Sequence, residues 1–200
     1  MRFVPLGLFV LSLLPGSALA QNMGILGCTW DDHHERWQLK TRPKPGSLAS
    51  ADAVAVPDVL AWAVPLGHHD TENTAVVPKE KHLFTLTGFV RKIKLSDDDC
   101  DLHLELAASG ETNAPRVIVE IPPTRLSLQK IVAAMFNLSA TARSHTYNGA
   151  KALAVVVTGF GFVDLSHQCH NAPTAGCQHG GSQVKTLWEL HPIFGLKWAH

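Results

Sequence analysis

The sequence predicts a mainly β protein whose strands form one small barrel. Five apolar segments of strand length, rich in β-branched and aromatic residues, follow one another between residues 82 and 198. A single amphipathic segment separates the third of these strands from the fourth. Glycine, proline and asparagine mark the junctions between the segments.

This order of elements, strand-strand-strand-helix-strand-strand, is that of the OB-fold, a partly open five-stranded barrel. Proteins with this fold bind many kinds of ligand and a few are nucleases, so the fold does not specify a function. We therefore predict an OB-fold-like domain over residues 81–200 and examine individual side chains for evidence of function.

The first and third strands are predicted from composition. Residues 83–95 form a long first strand, in which Gly88 permits the bend that a barrel requires. Ser96 and the three acidic residues at 97–99 form a turn into the second strand. The third strand covers residues 116–121 and stops at two prolines, which cannot continue a central strand.

The second strand alternates strictly between polar and apolar residues. Its polar positions are Asp101, His103 and Glu105, and a leucine follows each of them. An antiparallel strand with one face in water requires only this alternation. We interpret the polar positions as a solvent-exposed face, although the same groups could contribute to a binding site.

The helix is predicted over residues 127–141, with Ser127 as its N-cap. The fourth strand, 152–164, is almost continuously apolar, and the fifth covers 186–196. The apolar stripe of the helix consists of Leu128, Ile131, Val132, Met135 and Leu138.

The first 20 residues have the pattern of a signal peptide. Arg2 is basic, the following run to Leu14 is apolar, and small residues precede Ala20. We expect cleavage after Ala20 and a soluble chain that is secreted or periplasmic. Because the apolar run is too short to span a bilayer, no transmembrane segment is expected after signal removal.

Residues 21–80 are expected to form an N-terminal extension and a proline-containing connector. Five prolines between residues 42 and 80 interrupt any long helix or strand. One short helix, 58–63, is expected between them, and Trp37 is expected to pack against the barrel.

The charge balance argues against a dedicated nucleic-acid-binding protein. The chain has 17 acidic and 17 basic residues, so its formal net charge is zero. Nucleic-acid-binding proteins gain much of their affinity by neutralising phosphates with an excess of positive charge.

The four cysteines all lie in the expected mature chain, where oxidation would pair them as disulfides. Of the three possible connectivities we favour Cys169 with Cys177 and Cys28 with Cys100, because the first pair is close in sequence and flanks a loop with proline and glycine. The competing interpretation is a metal cluster, although a Cys-x7-Cys spacing is not typical of zinc sites. The histidines that suggest it are His167, His170 and His179.

A set of acidic and imidazole side chains is predicted to meet near the last strand. Glu189 and His191 share one face of that strand, and the fourth strand ends beside it. Carboxylates and imidazoles together suit a divalent cation, although a structural hydrogen-bond network would use the same groups. The candidate ligands are His103, Asp164, His167, Glu189 and His191, with Asp101, Glu105 and Arg116 as secondary candidates.

Several short segments resemble a set of exported bacterial proteins that have no assigned activity. That set combines an N-terminal segment of the form ERWxxKT with an OB-fold-like domain that ends in ELHP. The resemblance covers most of the expected mature chain and implies no substrate. The matching segments are Glu35-Arg36-Trp37 with Lys40-Thr41, Asp101-x-His103-Leu104, Val119-Glu120-Ile121-Pro122, Asp164 with His167, and Glu189-Leu190-His191-Pro192.

We therefore expect an exported OB-fold-like binding or accessory protein with an unknown ligand. The alternative is a divalent-metal-dependent phosphodiesterase, in which a cation lowers the pKa of a water nucleophile. In that alternative Arg91, Arg116 and Arg125 would clamp phosphate oxygens. A structural envelope protein is a third hypothesis, and the sequence assigns no catalytic residue.

Overall fold

The computed structural model describes residues 22–31, 36–65, 75–165 and 183–199, so the expected signal peptide lies outside the described residues. Within these ranges the α-helices are α1 (Trp37–Lys40), α2 (Val56–Leu60) and α3 (Leu126–Met135). The strands are β1 (Asn22–Met23), β2 (Thr29–Trp30), β3 (Asp52–Ala55), β4 (Leu83–Leu95), β5 (Leu102–Ala107), β6 (Arg116–Ile121), β7 (Ser144–Thr146), β8 (Leu153–Val163) and β9 (Val184–Trp198).

Five of these strands close into a barrel and confirm the predicted OB-fold-like topology. β4 is long enough to pair antiparallel with β8 along its first half and with β5 along its second. β5 pairs antiparallel with β6, β6 pairs parallel with β9, and β9 pairs antiparallel with β8. The order β4-β5-β6-β9-β8 therefore returns to β4, and α3 lies between β6 and β8 in the chain.

Glycine permits close packing in the middle of β4. A Cβ atom at Gly88 would lie 3.1 Å from the Leu106 Cβ atom and 3.2 Å from Val56 Cγ2. Since these separations are shorter than ordinary van der Waals contacts, a side chain at this position would push β5 and α2 away from the strand.

The interior of the barrel is apolar, and the leucines of β5 lie in it. Leu102, Leu104 and Leu106 are fully buried and pack in one core with residues from every barrel strand. Because side chains alternate along a strand, the intervening residues of β5 point to the outside of the barrel.

The predicted helix was wrong at both ends. α3 begins at Leu126, so Ser127 lies inside the helix and is not its N-cap. α3 ends at Met135, and Asn137 has a φ of 55°, a left-handed conformation that stops a helix. The predicted stripe was also partly wrong, because Ile131 is exposed and Gln129 is buried. The amide of Gln129 donates hydrogen bonds to the carbonyl groups of Cys100 and Ile121 and so joins the helix to the turn before β5 and to the end of β6.

The connector contains more regular structure than the prolines predicted. β3 pairs parallel with the start of β4 and extends the sheet. The short helix α2 begins at Val56 rather than residue 58, with Pro57 in its first turn, where the missing N–H is not needed. The carboxylate of Asp58 accepts a hydrogen bond from the Ala55 N–H and stabilises this helix start.

A disulfide joins Cys28 to Cys100, which is one of the two expected pairs. It fixes the N-terminal extension beside Asp101, the residue that immediately precedes β5. Cys169 and Cys177 lie outside the described residues, and so do His167, His170 and His179. Among the helices that the structure describes, none combines the length and apolar character needed to cross a membrane.

Candidate metal centre

A row of polar side chains runs across the outer face of β5, β6 and β9. His103 on β5 is opposite Glu120 on β6 in the antiparallel register. Val119 is opposite Leu190 in the parallel register of β6 and β9, so the next residues, Glu120 and His191, are neighbours. The row therefore joins the consecutive strands β5 and β6 to β9, which is distant from them in the sequence.

The interpretation of Asp101, His103 and Glu105 as a solvent-exposed face was wrong. Asp101 is 0% exposed, and His103 and Glu105 are each 8% exposed. The alternating pattern correctly predicted that these side chains point away from the barrel interior. It could not predict that other parts of the chain cover this outer face. Part of the cover comes from the N-terminal extension.

Residues 36–44, which we call the cover segment, pack on the outer face of β8 and β9. Arg36 Nη1 donates to the Val163 carbonyl oxygen at 2.8 Å, near the start of the segment. Arg42 Nη2 donates to the carbonyl oxygens of Gly161 and His191, at 3.2 and 3.4 Å. The two arginines thus attach the segment to the barrel on either side of α1.

The anchor at Arg36 includes a buried ion pair. Arg36 Nη2 lies 2.7 Å from Glu80 Oε2, and both side chains are almost completely buried. The same carboxylate accepts hydrogen bonds from the backbone N–H groups of Val77 and Val163. Glu80 therefore joins the cover segment, the connector and the end of β8.

Next to the covered face, three side chains offer ligand atoms to a common point. One atom each from Asp101, Glu120 and His191 lie within 4.8 Å of one another, and we call these residues the ligand triad. Asp101 precedes β5, Glu120 lies on β6 and His191 lies on β9. The ring of Phe162, on β8, lies 5.4 Å from the imidazole of His191.

The imidazole of His191 is close to two carboxylates but is not aligned with either for hydrogen bonding. Its Nε2 atom lies 3.2 Å from Asp101 Oδ2, and its Nδ1 atom lies 3.0 Å from Glu120 Oε2. Within the described residues, neither ring nitrogen of His191 and neither carboxylate oxygen of Asp101 has a hydrogen-bond partner. Four buried polar atoms are thus unsatisfied in one place, which is unusual in folded proteins.

The other oxygen of Glu120 is held by a chain of polar contacts. Glu120 Oε1 lies 2.7 Å from His103 Nδ1, in hydrogen-bonding geometry. His103 Nε2 lies 3.8 Å from Glu105 Oε1, and the other oxygen of Glu105 accepts a hydrogen bond from Arg116 at 2.7 Å. This chain fixes the orientation of the Glu120 carboxylate.

The pKa values of the two triad carboxylates are shifted in opposite directions. Burial, together with the negative charges of Asp99 and Glu120, raises the pKa of Asp101 well above its usual range. Burial also acts to raise the pKa of Glu120, but the imidazoles of His103 and His191 outweigh it and lower that pKa. The pKa of His191 is lowered, chiefly because burial disfavours the imidazolium.

The contacts around His103 favour a positive charge on its imidazole and a negative charge on the Glu105 carboxylate. Burial acts to lower the pKa of His103, but Glu105 and Glu120 outweigh this effect and raise it to about 9. Burial acts to raise the pKa of Glu105, but His103 and Arg116 outweigh this effect and lower that pKa to about 2. His103 is therefore a cation that supports Glu120 as an anion.

The other predicted site residues have different positions. Glu189 is buried beside the triad, with Oε2 3.9 Å from His191 Nδ1, and Asp164 is buried at the end of β8. Arg116 contacts Glu105 rather than the triad. His167 lies outside the described residues.

The predicted phosphate clamps have other partners. Arg91 donates to the side-chain oxygen of Asn148, and Arg125 donates to the Arg42 carbonyl oxygen and lies over the ring of Phe194. These contacts, like that of Arg116 with Glu105, use guanidinium groups that the phosphodiesterase hypothesis assigned to substrate.

Sequence reasoning did not select Glu120 as a ligand. The residue is the only charged one between Val117 and Ile121 in an otherwise apolar strand, and this isolation was an available signal. Its proximity to His191 depends on the parallel pairing of β6 with β9, which no local pattern indicates.

Two carboxylates and one imidazole are a donor set that can hold a divalent cation. No protein-family model matches the chain, and no curated protein shows significant similarity to it. The chemistry of the site therefore has to be inferred from its own geometry.

Proposed function

We propose that this protein is an exported OB-fold-like binding protein that holds one divalent cation at Asp101, Glu120 and His191. The observation that carries the proposal is the convergence of three ligand atoms within 4.8 Å at a site where Asp101 and His191 are completely buried. We also propose that it is related to the exported bacterial proteins that its short segments resemble.

The buried polar atoms without hydrogen-bond partners make the metal-free site unfavourable. An ionised carboxylate buried without hydrogen bonds is strongly disfavoured, because it loses its hydration and gains nothing in return. Asp101 is buried in this way and lies close to a second carboxylate, Glu120. The raised pKa of Asp101 means that this carboxylate retains a proton when no cation is present. A divalent cation would replace that proton, bind the Glu120 carboxylate and use a nitrogen lone pair of His191.

The donor set favours zinc or manganese over calcium. Calcium takes six to eight oxygen ligands, whereas the triad supplies three groups and one of them is an imidazole. The hydrogen bond from His103 to Glu120 supports Glu120 as a metal ligand, since ligating carboxylates are commonly held by further hydrogen bonds.

Burial favours binding over turnover. Asp101 and His191 are inaccessible to solvent, so a phosphodiester has no direct approach to a cation held between them in this conformation. A catalytic metal site keeps an open position for water or substrate. This supports a binding protein, with the metal-dependent phosphodiesterase as the competing hypothesis.

The proposed export rests on two features. Residues 1–20 have the pattern of a signal peptide. The Cys28–Cys100 disulfide is typical of proteins from oxidising compartments.

The experiment is a calorimetric titration of the chelator-treated mature protein with Zn²⁺ and, separately, Mn²⁺. We expect one ion per chain for at least one of these metals, and a loss of affinity of at least tenfold in Asp101→Asn and His191→Gln. Glu111→Gln, at an exposed position away from the triad, is the control and should bind like the unaltered protein. Absence of binding of either metal would contradict the proposal, and metal-stimulated cleavage of bis(p-nitrophenyl) phosphate would favour the phosphodiesterase.

A further inference from the structure

Lys40 brings a positive charge from the cover segment to the ligand triad. Its side chain is 15% exposed, and its Nζ atom lies 3.9 Å from Asp99 Oδ2. Nζ also lies 5.8 Å from the centre of the Phe162 ring, the same ring that packs near His191. The ammonium group is therefore on the covered face, beside the site.

Lys40 lies among four carboxylates, two of which belong to the ligand triad. Burial acts to lower the pKa of Lys40, but the carboxylates of Glu120, Asp101 and Asp164 outweigh that effect and raise it. Two members of the ligand triad are thus among the negative charges near the ammonium group, whose ion-pair contact is with Asp99. Arg36 and Arg116, by contrast, lie against Glu80 and Glu105.

Resting on the proposed function, we infer that Lys40 serves as the cation of the site when no metal is bound, and that a divalent ion bound to the triad displaces its ammonium group. The Lys40 ammonium group would therefore compete with the divalent cation for the same carboxylates.

The competition follows from Coulomb's law. A divalent ion at the triad and an ammonium group next to the same carboxylates repel each other in a site that water screens poorly. Removal of the Lys40 charge would remove this repulsion. It would also leave the carboxylates of the metal-free site without their nearby cation, so the metal-free protein would lose stability.

The cover segment can respond to this repulsion near Lys40. α1 is a single turn, held by hydrogen bonds such as those from the Lys40 and Thr41 N–H groups to the carbonyl oxygens of Arg36 and Trp37. A helix this short is not stable by itself. Arg36 and Arg42 attach the segment on both sides, so the turn between them can loosen while its ends stay in place.

The test compares metal affinity in three proteins: the unaltered chain, Lys40→Met and the control Lys44→Met. Lys44 lies on the same segment but is exposed. We expect Lys40→Met to bind the preferred metal, Zn²⁺ or Mn²⁺, roughly tenfold more tightly or better. Lys44→Met should bind like the unaltered chain. Circular dichroism checks that all three proteins are folded before titration.

The outcomes separate this inference from the proposed function. If the unaltered chain binds metal and Lys40→Met binds equally or more weakly, competition by Lys40 is wrong and the cation site stands. If only Lys40→Met binds, competition is supported and the unaltered chain is not a metal-binding protein. If none of the three binds Zn²⁺ or Mn²⁺, both ideas fail.

Hydrogen exchange gives a second readout on the unaltered chain. In metal-bound protein the amides of Lys40 and Thr41 should exchange faster than in chelator-treated protein, because the turn that protects them loosens. Slower exchange on metal binding would overturn the inference, since it would show that the ion stabilises the cover segment.

Discussion

His191 Nδ1 lies 3.0 Å from Glu120 Oε2, across the parallel pairing of β9 with β6. The other nitrogen of the same ring lies 3.2 Å from Asp101 Oδ2, at the start of β5. One imidazole therefore contacts carboxylates from two other parts of the barrel. The three groups therefore converge from separate elements into a donor set that could hold one shared ion.

Replacement of His103 by alanine should weaken metal binding without removing a ligand. His103 holds the Glu120 carboxylate from the side opposite His191, and loss of such a supporting contact commonly costs about 10- to 100-fold in affinity. Calorimetric titration with Zn²⁺ measures the effect. His145→Ala, on the peripheral strand β7, is the matched control and should leave affinity unchanged. Equal affinities for the two variants would show that His103 does not position Glu120.

Replacement of Glu80 by alanine should strongly destabilise the protein. The variant removes a buried carboxylate that pairs with Arg36 and accepts two backbone hydrogen bonds. Breaking a buried ion pair from one side costs about 3–5 kcal/mol in the free energy of unfolding. Urea denaturation measures this change, and the exposed control Glu111→Ala should change it by less than about 0.5 kcal/mol. A loss below about 1 kcal/mol in Glu80→Ala would contradict the anchoring role of this pair.

Two glycines on the β8–β9 pair should respond differently to alanine. A Cβ atom at Gly159 would lie 2.7 Å from the Pro192 carbonyl oxygen and 2.8 Å from Ile193 Cγ2, whereas one at Gly195 would have no neighbour within 4 Å. We expect Gly159→Ala to lower the free energy of unfolding by about 1–3 kcal/mol and Gly195→Ala to have little effect. Thermal denaturation of both variants provides the comparison. Similar melting temperatures would show that the strands separate easily at this point.

Much of the barrel could be predicted because its strands carry strong local patterns. Residues 83–95 and 116–121 have the predicted bounds, since β-branched residues fill them and turn residues limit them. The helix end was missed because it depends on one left-handed residue, Asn137. Asparagine adopts this conformation only in some contexts, so its presence in the sequence did not determine the boundary.

The site was only partly predictable for a different reason. Alternation indicated that Asp101 and His191 lie on outer faces of their strands, and this is a local property. The addition of Glu120 depends on which strands become neighbours, and the complete burial of Asp101 and His191 depends on what packs over the outer face of the barrel. Both are long-range properties that no periodicity within a strand encodes.

Anomalous X-ray diffraction at the zinc edge, from crystals grown with Zn²⁺, locates the bound ion among the side chains of the protein. We expect one strong peak within about 2.0–2.2 Å of a nitrogen of His191 and of carboxylate oxygens from both Asp101 and Glu120. Matched crystals of His191→Gln should lose this peak while keeping the barrel. A zinc peak only at surface histidines, or no peak beside His191 in protein that binds zinc in solution, would contradict the assignment of the metal site to these three residues.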